Sequence, residues 1–229
     1  MSSSKSLPIK CVAVIGAGPA GLMAAEIISQ AGIQVDVYDA MPSAGRKFLM
    51  AGKGGLNITH AEPYDTFISR YGSRQSDIKP MLDGFNANAL RKWVNELGID
   101  TFIGSSGRIF PAEMKAAPLI RAWLHRLRLD GVAFHMRHQW LGWGESTSEA
   151  LRFMTPQGIR EIKPDAVVLA LGGGSWPQLG STGSWVSLLV EQGIQVAPLL
   201  PANCGFDVAW SEHFRERFAE IGRASCRER

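Results

Sequence analysis

At 229 residues the chain can hold one large domain, or one domain and part of a second, and its 45% hydrophobic content is enough for a substantial core. A formal net charge of +3, with the basic residues scattered until the last fifteen positions, lacks the clustered patch that nucleic acid requires. No apolar run approaches the roughly 18 residues of a membrane span, and Cys11, Cys204 and Cys226 show no paired spacing that would support a disulfide framework or a zinc site.

The chain opens on a Ser-rich leader, Met1 to Pro8. Lys5 and Lys10 before an apolar stretch imitate an export signal, but Pro19 and three glycines interrupt that stretch, so a cytoplasmic protein is expected. Cys11 to Ile15 reads as a strand running into Gly16-Ala17-Gly18-Pro19-Ala20-Gly21. A helix over Ala20 to Gln30 follows, stopped by Gly32, and then a second strand, Val35 to Tyr38, ends on Asp39. Strand, glycine turn, helix, strand and acid form the order of a dinucleotide-binding βαβ unit. Gly16 lets the chain turn sharply off the strand. Gly18 lets the backbone approach a pyrophosphate, and Gly21 lets helix and sheet pack closely. The helix N-terminus offers free N–H groups to phosphate, and Asp39 offers a carboxylate to a ribose diol.

Met41 to His60 has neither a strand nor a helix period and is expected to be a long ordered loop, rich in glycine and carrying Arg46, Lys47 and Lys53. Ala61 to Pro111 is mixed. Asn86 or Asn88 is placed to cap a helix running to Leu97, closed by Gly98, whose apolar positions Leu90, Trp93, Val94 and Leu97 repeat at three and four. Arg108 to Pro111 reads as a short extended piece, with Arg108 a weak site candidate. Ala116 to Leu129 reads as a helix with Pro118 in its first turn and a stripe of Leu119, Ile120, Trp123, Leu124 and Leu127; Arg121, Arg126 and Arg128 fall on a solvated face.

Val132 to Met136 reads as a third parallel strand. Gln139 to Trp143, Leu151 to Thr155 and Ile159 to Ile162 read as a three-stranded meander turning at Pro156-Gln157-Gly158. Asp165 to Leu171 is a continuous apolar run, expected to be a strand buried on both faces, and it ends in Gly172-Gly173-Gly174. Ligands of open α/β sheets sit at the carboxyl ends of the strands, which puts this second glycine turn beside the first. Ser181 or Thr182 is placed to cap a further helix running to Gln192, whose N-terminus is a second candidate anion site.

The segment GRKFLMAGKGGLNITH, directly after GAGPAG, resembles the HI0933-like, or BaiN-like, bacterial FAD-dependent oxidoreductases. GRIFPAEMKAAPLIRAWL, LALGGGSWPQLGSTG and PANCGFDV agree with it in order, so the resemblance spans Val12 to about Phe214. It implies an α/β Rossmann-like FAD/NAD(P)-binding domain over residues 9–196, with an inserted segment at about 61–113 and the start of a substrate-side domain at 197–214. The tail over residues 215–229 alternates charge with little apolar content, its last portion GRASCRER has no counterpart in the family, and it is expected to be non-native.

By the resemblance, Gly16, Ala17, Gly18, Pro19, Ala20 and Gly21 surround the FAD pyrophosphate and Asp39 the adenine ribose. Arg46 and Lys47 contact phosphates or ribose. Gly54, Gly55 and Asn57, with Lys53, approach the flavin ring; Gly172 and Gly173 flank the cofactor, and the backbone near Trp140 touches the adenine. The family commonly has Thr at the position of Leu171. Family members continue further and close the flavin site with a returning segment, so this chain alone is expected to bind FAD weakly or by its ADP half.

The resemblance implies hydride transfer between flavin and a small-molecule substrate, with NAD(P)H a candidate donor and no nucleic-acid or membrane partner. No residue stands out as general acid or base; His60 and His135 are the nearest histidines. The competing readings are an NAD(H) dehydrogenase, disfavoured by the cationic loop after Asp39, and a flavin-dependent RNA modifier or regulator. Flavin disulfide reductases are excluded, because no cysteine lies between Cys11 and Cys204.

Overall fold

The computed structural model describes residues 9–51, 54–144, 149–200, 211–213 and 216–217. Strand β1 (Cys11–Ile15) is buried from Val12 to Ile15, which is why it reads as an unbroken apolar run. It passes through the glycine turn into α1 (Pro19–Gln30), whose first residue is proline, where its missing N–H costs nothing. Strand β2 (Gln34–Asp39) returns parallel to β1, with Val14 opposite Val37 and Ile15 opposite Tyr38.

The segment expected to be a loop contains helix α2 (Arg46–Ala51) and the two-residue strand β3 (Thr59–His60). Only six residues long, α2 is too short to show a helical period. The amide of Gly45 bonds to Ala17 O at 2.9 Å, which fastens the start of α2 to the glycine turn.

Helices α3 (Tyr64–Ser69), α4 (Gln75–Gly84) and α5 (Ala87–Glu96) follow, then β4 (Thr101–Ile103) and β5 (Arg108–Pro111). Asn86 caps α5, its Oδ1 accepting from the amides of Asn88 and Ala89. The order β3-β5-β4 makes a small antiparallel sheet.

Helix α6 (Ala116–Leu129) carries the expected stripe and leads to β6 (Ala133–Met136). The meander is present as β7 (Gln139–Trp143), β8 (Leu151–Thr155) and β9 (Gly158–Ile162), with a register shift between Trp140 and Gly142. Strand β10 (Ala166–Leu169) and α7 (Trp185–Glu191) complete the described elements.

The parallel sheet has the order β10-β1-β2-β6. Its two faces bury different partners because alternate residues of a strand point opposite ways. Val12, Val14, Val35 and Val37 join Leu22, Ala25, Ile120, Trp123 and Leu127 of α1 and α6. Ala13, Ile15 and Tyr38 join Trp140, Leu151 and Phe153 of the meander, with Leu171, Trp185 and Leu188 packed against them. The result is helix, sheet and meander in layers.

Three expectations need correction. Strand β10 is the edge of the sheet and not doubly buried: Val167 and Leu169 are 37% and 39% exposed. Arg126 is not on a solvated face, since its guanidinium bonds to the buried carboxylate of Glu26 at 2.9 Å. Helix α7 starts at Trp185, after Ser184, and neither Ser181 nor Thr182 caps it; the Thr182 hydroxyl accepts from the Ser184 amide, and Ser181 bonds elsewhere.

The motif Pro201 to Val208, Lys53, Cys204 and Cys226 lie outside the described residues.

Candidate cofactor site

Strands β1, β2, β6 and β10 run the same way, so Gly16, Asp39, Arg137 and Ala170 all lie at one end of the sheet. The glycine turn is built there by sterics. A Cβ on Gly16, at φ +110°, would lie 2.3 Å from Ala170 O, and one on Gly21 would lie 1.9 Å from Gly16 O. Strand β10 and α1 therefore close on the turn as no side chain would allow. The turn is then tied sideways, Gly16 N to Tyr38 O at 2.7 Å.

Gly18 differs from both. A Cβ there would meet nothing within 4 Å, and its φ of −81° suits any residue. Gly173 is likewise open and has no left-handed φ. Among the described residues nothing fills the space beside either glycine.

Gly18 is the N-cap of α1 and has no side chain to bond the helix amides. Its carbonyl accepts from Leu22 N, leaving the N–H groups of Ala20 and Gly21 without an intrahelical acceptor, at the positive end of the helix dipole.

Two cations complete this neighbourhood. Arg46 follows the Gly45–Ala17 bond, and its Nε is buried with no hydrogen-bond partner among the described residues. Lys47 reaches across to the loop after β10, its Nζ 2.8 Å from Ser175 Oγ and 3.4 Å from Ser181 Oγ. Ser181 is buried and donates to Gly173 O at 2.7 Å. Sequence reading missed Ser175 and Ser181 as members, because only the lysine bridge brings them to the first glycine turn.

Asp39 sits at the end of β2 as expected, but it is not a free acceptor. Its Oδ2 accepts from Ala17 N and its Oδ1 from Met41 N, both at 2.7 Å. The carboxylate thus holds the glycine turn in shape. An ionised carboxylate has about four lone-pair sites, so capacity for a ribose remains.

The other expected residues fall in different surroundings. Gly55 lies against Met114, and Leu56 N bonds to Met114 O at 2.9 Å, so the stretch holding Gly54, Gly55 and Asn57 is docked on the inserted segment. Trp140 is 8% exposed in the core beneath the sheet, its indole N–H buried without a partner among the described residues. Gly172 is open at φ +71°. Arg108 is exposed on β5, opposite His60.

The two histidines differ in how their ring nitrogens are used. His60 accepts from Glu62 N at Nδ1 and donates from Nε2 to Ser106 O at 2.9 Å. His135 donates from Nε2 to Asp36 Oδ1 at 2.7 Å and stacks on Tyr38 at 4.5 Å. Tyr38 and His135, with His138, Phe153, Arg160, Glu161 and Ile162, line a cavity of about 280 Å³ on the meander side of the sheet. Burial, then the charge of Asp36, pushes the Tyr38 phenol up to about 12.

A parallel sheet ending at a tight glycine turn, a helix N-terminus without a side-chain cap and a carboxylate on the neighbouring strand defines a dinucleotide-binding protein of the Rossmann type. More narrowly, the chain belongs to the HI0933-like family, whose Rossmann-domain model matches residues 10–212. The chain is 27% identical over 198 residues to the 3-dehydro-bile acid delta(4,6)-reductase of Clostridium scindens, covering 83% of this chain and 46% of the relative. It is 27% identical over 187 residues to the ribosomal RNA dihydrouridine synthase of Escherichia coli, covering 81% and 45%. The chain thus spans about half the length of the curated relatives it matches. Among solved structures, a 3-ketosteroid-delta4-(5alpha)-dehydrogenase from Rhodococcus jostii RHA1 superimposes with a TM-score of 0.55 at 13% identity, covering 75% of this chain and 48% of that one. A flavocytochrome c3 fumarate reductase gives 0.53 at 18% identity, covering 80% and 41%. These two likenesses support the fold.

Proposed function

We propose that the chain is the cofactor-binding portion of an FAD-dependent oxidoreductase that moves hydride between the flavin and a small-molecule substrate, with reduced nicotinamide as the external donor. The observation that carries this reading is the pair Gly18 and Gly173. Neither is required by the fold, and the Lys47–Ser175–Ser181 bridge links the loops that hold them. An FAD fits the residues present: a Cβ on either glycine would occupy open space, Arg46 Nε is an orphaned buried donor, and two helix amides lack acceptors.

When bound, the flavin supplies the hydride chemistry. The amides of Ala20 and Gly21 receive the pyrophosphate, and Arg46 and Lys47 offset its charge. Asp39 uses its remaining lone pairs for the ribose while keeping the turn in register. His60 has both ring nitrogens engaged, and the role of the residues around the glycine turns is to bind and orient the cofactor.

Fluorescence titration of the purified chain with FAD, FMN and NADH tests the reading. FAD is expected to bind and to outcompete FMN, which lacks the adenosine half; anaerobic NADH or NADPH is then expected to bleach the visible flavin band. Tight NADH binding with no measurable FAD binding would replace the flavoprotein with a nicotinamide dehydrogenase.

A second reading has one specific support, the dihydrouridine synthase likeness, whose name places its action on ribosomal RNA. The two curated relatives differ in the substrate that their names print, a 3-dehydro-bile acid in one and ribosomal RNA in the other. Nucleic acid co-purifying with the chain, resistant to high salt, would favour RNA over a small molecule.

A further inference from the structure

Among the described residues, two non-glycine residues adopt the left-handed region, Met114 at φ +57° and Arg137 at φ +59°. That conformation is disfavoured for any residue with a Cβ, so each asks for a reason.

Met114 has one in the fold. Its amide donates to Pro111 O at 2.8 Å, its carbonyl accepts from Leu56 N, and its side chain lies against Gly55. Arg137 has a reason for its backbone only. Its amide donates to Met41 O at 3.1 Å, and the next amide, of His138, donates to Asp39 O at 2.9 Å. Glycine would make the same bonds without strain. Its side chain is exposed, and among the described residues the guanidinium has no hydrogen-bond or ion-pair partner. An arginine stands where the backbone favours glycine.

The sheet order says what lies in front of it. The phosphate-binding turn is at the end of β1, the ribose-binding carboxylate at the end of β2, and Arg137 one residue beyond the end of β6, with Asp39 opposite Met136 in register. Neighbouring strands are about 4.8 Å apart, the scale of one step from sugar to base. A nucleotide laid across these strand ends, phosphate on β1 and ribose on β2, brings its base to the end of β6.

We infer that Arg137 is the adenine-recognition residue of this site, its planar guanidinium stacking on the base as arginine does on aromatic faces. This rests on the FAD reading, and the test separates the two. The purified chain and its Arg137→Ala, Arg137→Gly and Arg137→Lys forms are titrated with FAD, ADP and FMN.

The expected result is a loss of about fivefold to tenfold in affinity for FAD and ADP alike in Arg137→Ala, with FMN unmoved. Arg137→Gly should lose the same affinity while its Tm rises by about 2–4 °C, because strain is removed. Arg137→Lys should resemble Ala, since it keeps the charge and loses the planar face. Unchanged FAD and ADP binding in Arg137→Ala overturns the inference, as does an equal fall for FMN or full affinity in Arg137→Lys. Wild-type binding of ADP without FAD removes the flavin reading and leaves the ADP titrations to decide on Arg137. Binding of neither removes both.

Discussion

The helix layer and the strand-end shelf treat polar atoms in opposite ways. Within the helix layer, the buried carboxylate of Glu26 accepts from Trp123 Nε1 at 2.6 Å, Trp93 Nε1 at 3.1 Å and Arg126 at 2.9 Å, and so joins α1, α5 and α6. Where α1 leaves the sheet, Gly16 and Gly21 are required by hard contacts. On the shelf, Arg46 Nε is buried and unmet, the glycines at 18 and 173 face open space, and Arg137 holds a strained backbone. A folded chain rarely leaves buried polar groups unpaired. The indole N–H groups of Trp140 and Trp185 in the meander core are also unmet among the described residues, so it is the coincidence of Arg46, two open glycines and Arg137 at the strand ends that supports the proposed site.

The strongest way to test the helix-layer half is to remove Glu26. Glu26→Ala leaves a guanidinium and two indole N–H groups unpaired, with an expected loss of about 3–5 kcal/mol. Glu26→Gln, which keeps an acceptor, should lose less. Urea denaturation measures both, and a change in Glu26→Ala below about 1 kcal/mol would mean the layer is not held by this carboxylate.

Gly21→Ala and Gly173→Ala set the two halves against each other. The first drives a methyl into Gly16 O and should cost about 2–3 kcal/mol of stability. The second meets no atom of the described residues and should change stability by less than about 0.5 kcal/mol. It should nevertheless weaken FAD by about tenfold to a hundredfold, because the methyl fills ligand space. A Gly173→Ala protein that binds FAD as wild type does would show that the open space is incidental.

This contrast also shows what a linear sequence carries. The βαβ unit, the Asn86 cap, the α6 stripe and the meander were legible because each is a local pattern whose period or cap chemistry lies within a few residues. Helix α2 was not, since six residues between glycines show no period. The exposure of β10 could not be read either: an apolar strand looks the same at an edge as in the centre, and only the order β10-β1-β2-β6 decides it. At the site, the glycine turn and Asp39 were found from spacing. The Lys47–Ser175 contact spans 128 positions and Arg126–Glu26 spans 100, and no local signal encodes such pairings.

A smaller effect is expected from Lys47→Met. Its bonds to Ser175 and Ser181 are partly exposed, so stability should fall by less than about 1 kcal/mol. FAD affinity should fall more than ADP affinity if the lysine serves the flavin-side phosphate, and equally if it serves the adenosine-side phosphate. Isothermal titration with both ligands distinguishes these, and no loss for either would take Lys47 out of the site.

The smallest effect concerns Cys11, at the far end of β1 from the shelf. Burial, then the hydrogen bond and charge of Asp36, pushes its thiol from 9.0 up to about 11. Its Sγ lies 3.4 Å from Asp36 Oδ2. Because the folded state holds this proton more tightly than the unfolded chain, the contribution to stability is fully present below pH 9. It is lost as the pH rises through 11. At pH 8 the thiolate, which is the reactive form, is scarce, so peptide mapping after brief iodoacetamide treatment should find Cys11 labelled more slowly in the folded protein than in urea. Equal labelling in both would mean that this end of β1 opens freely. The parallel register that aligns the strand ends at the shelf would then have to be held by β2, β6 and β10 without a fixed β1, which their order around it does not permit.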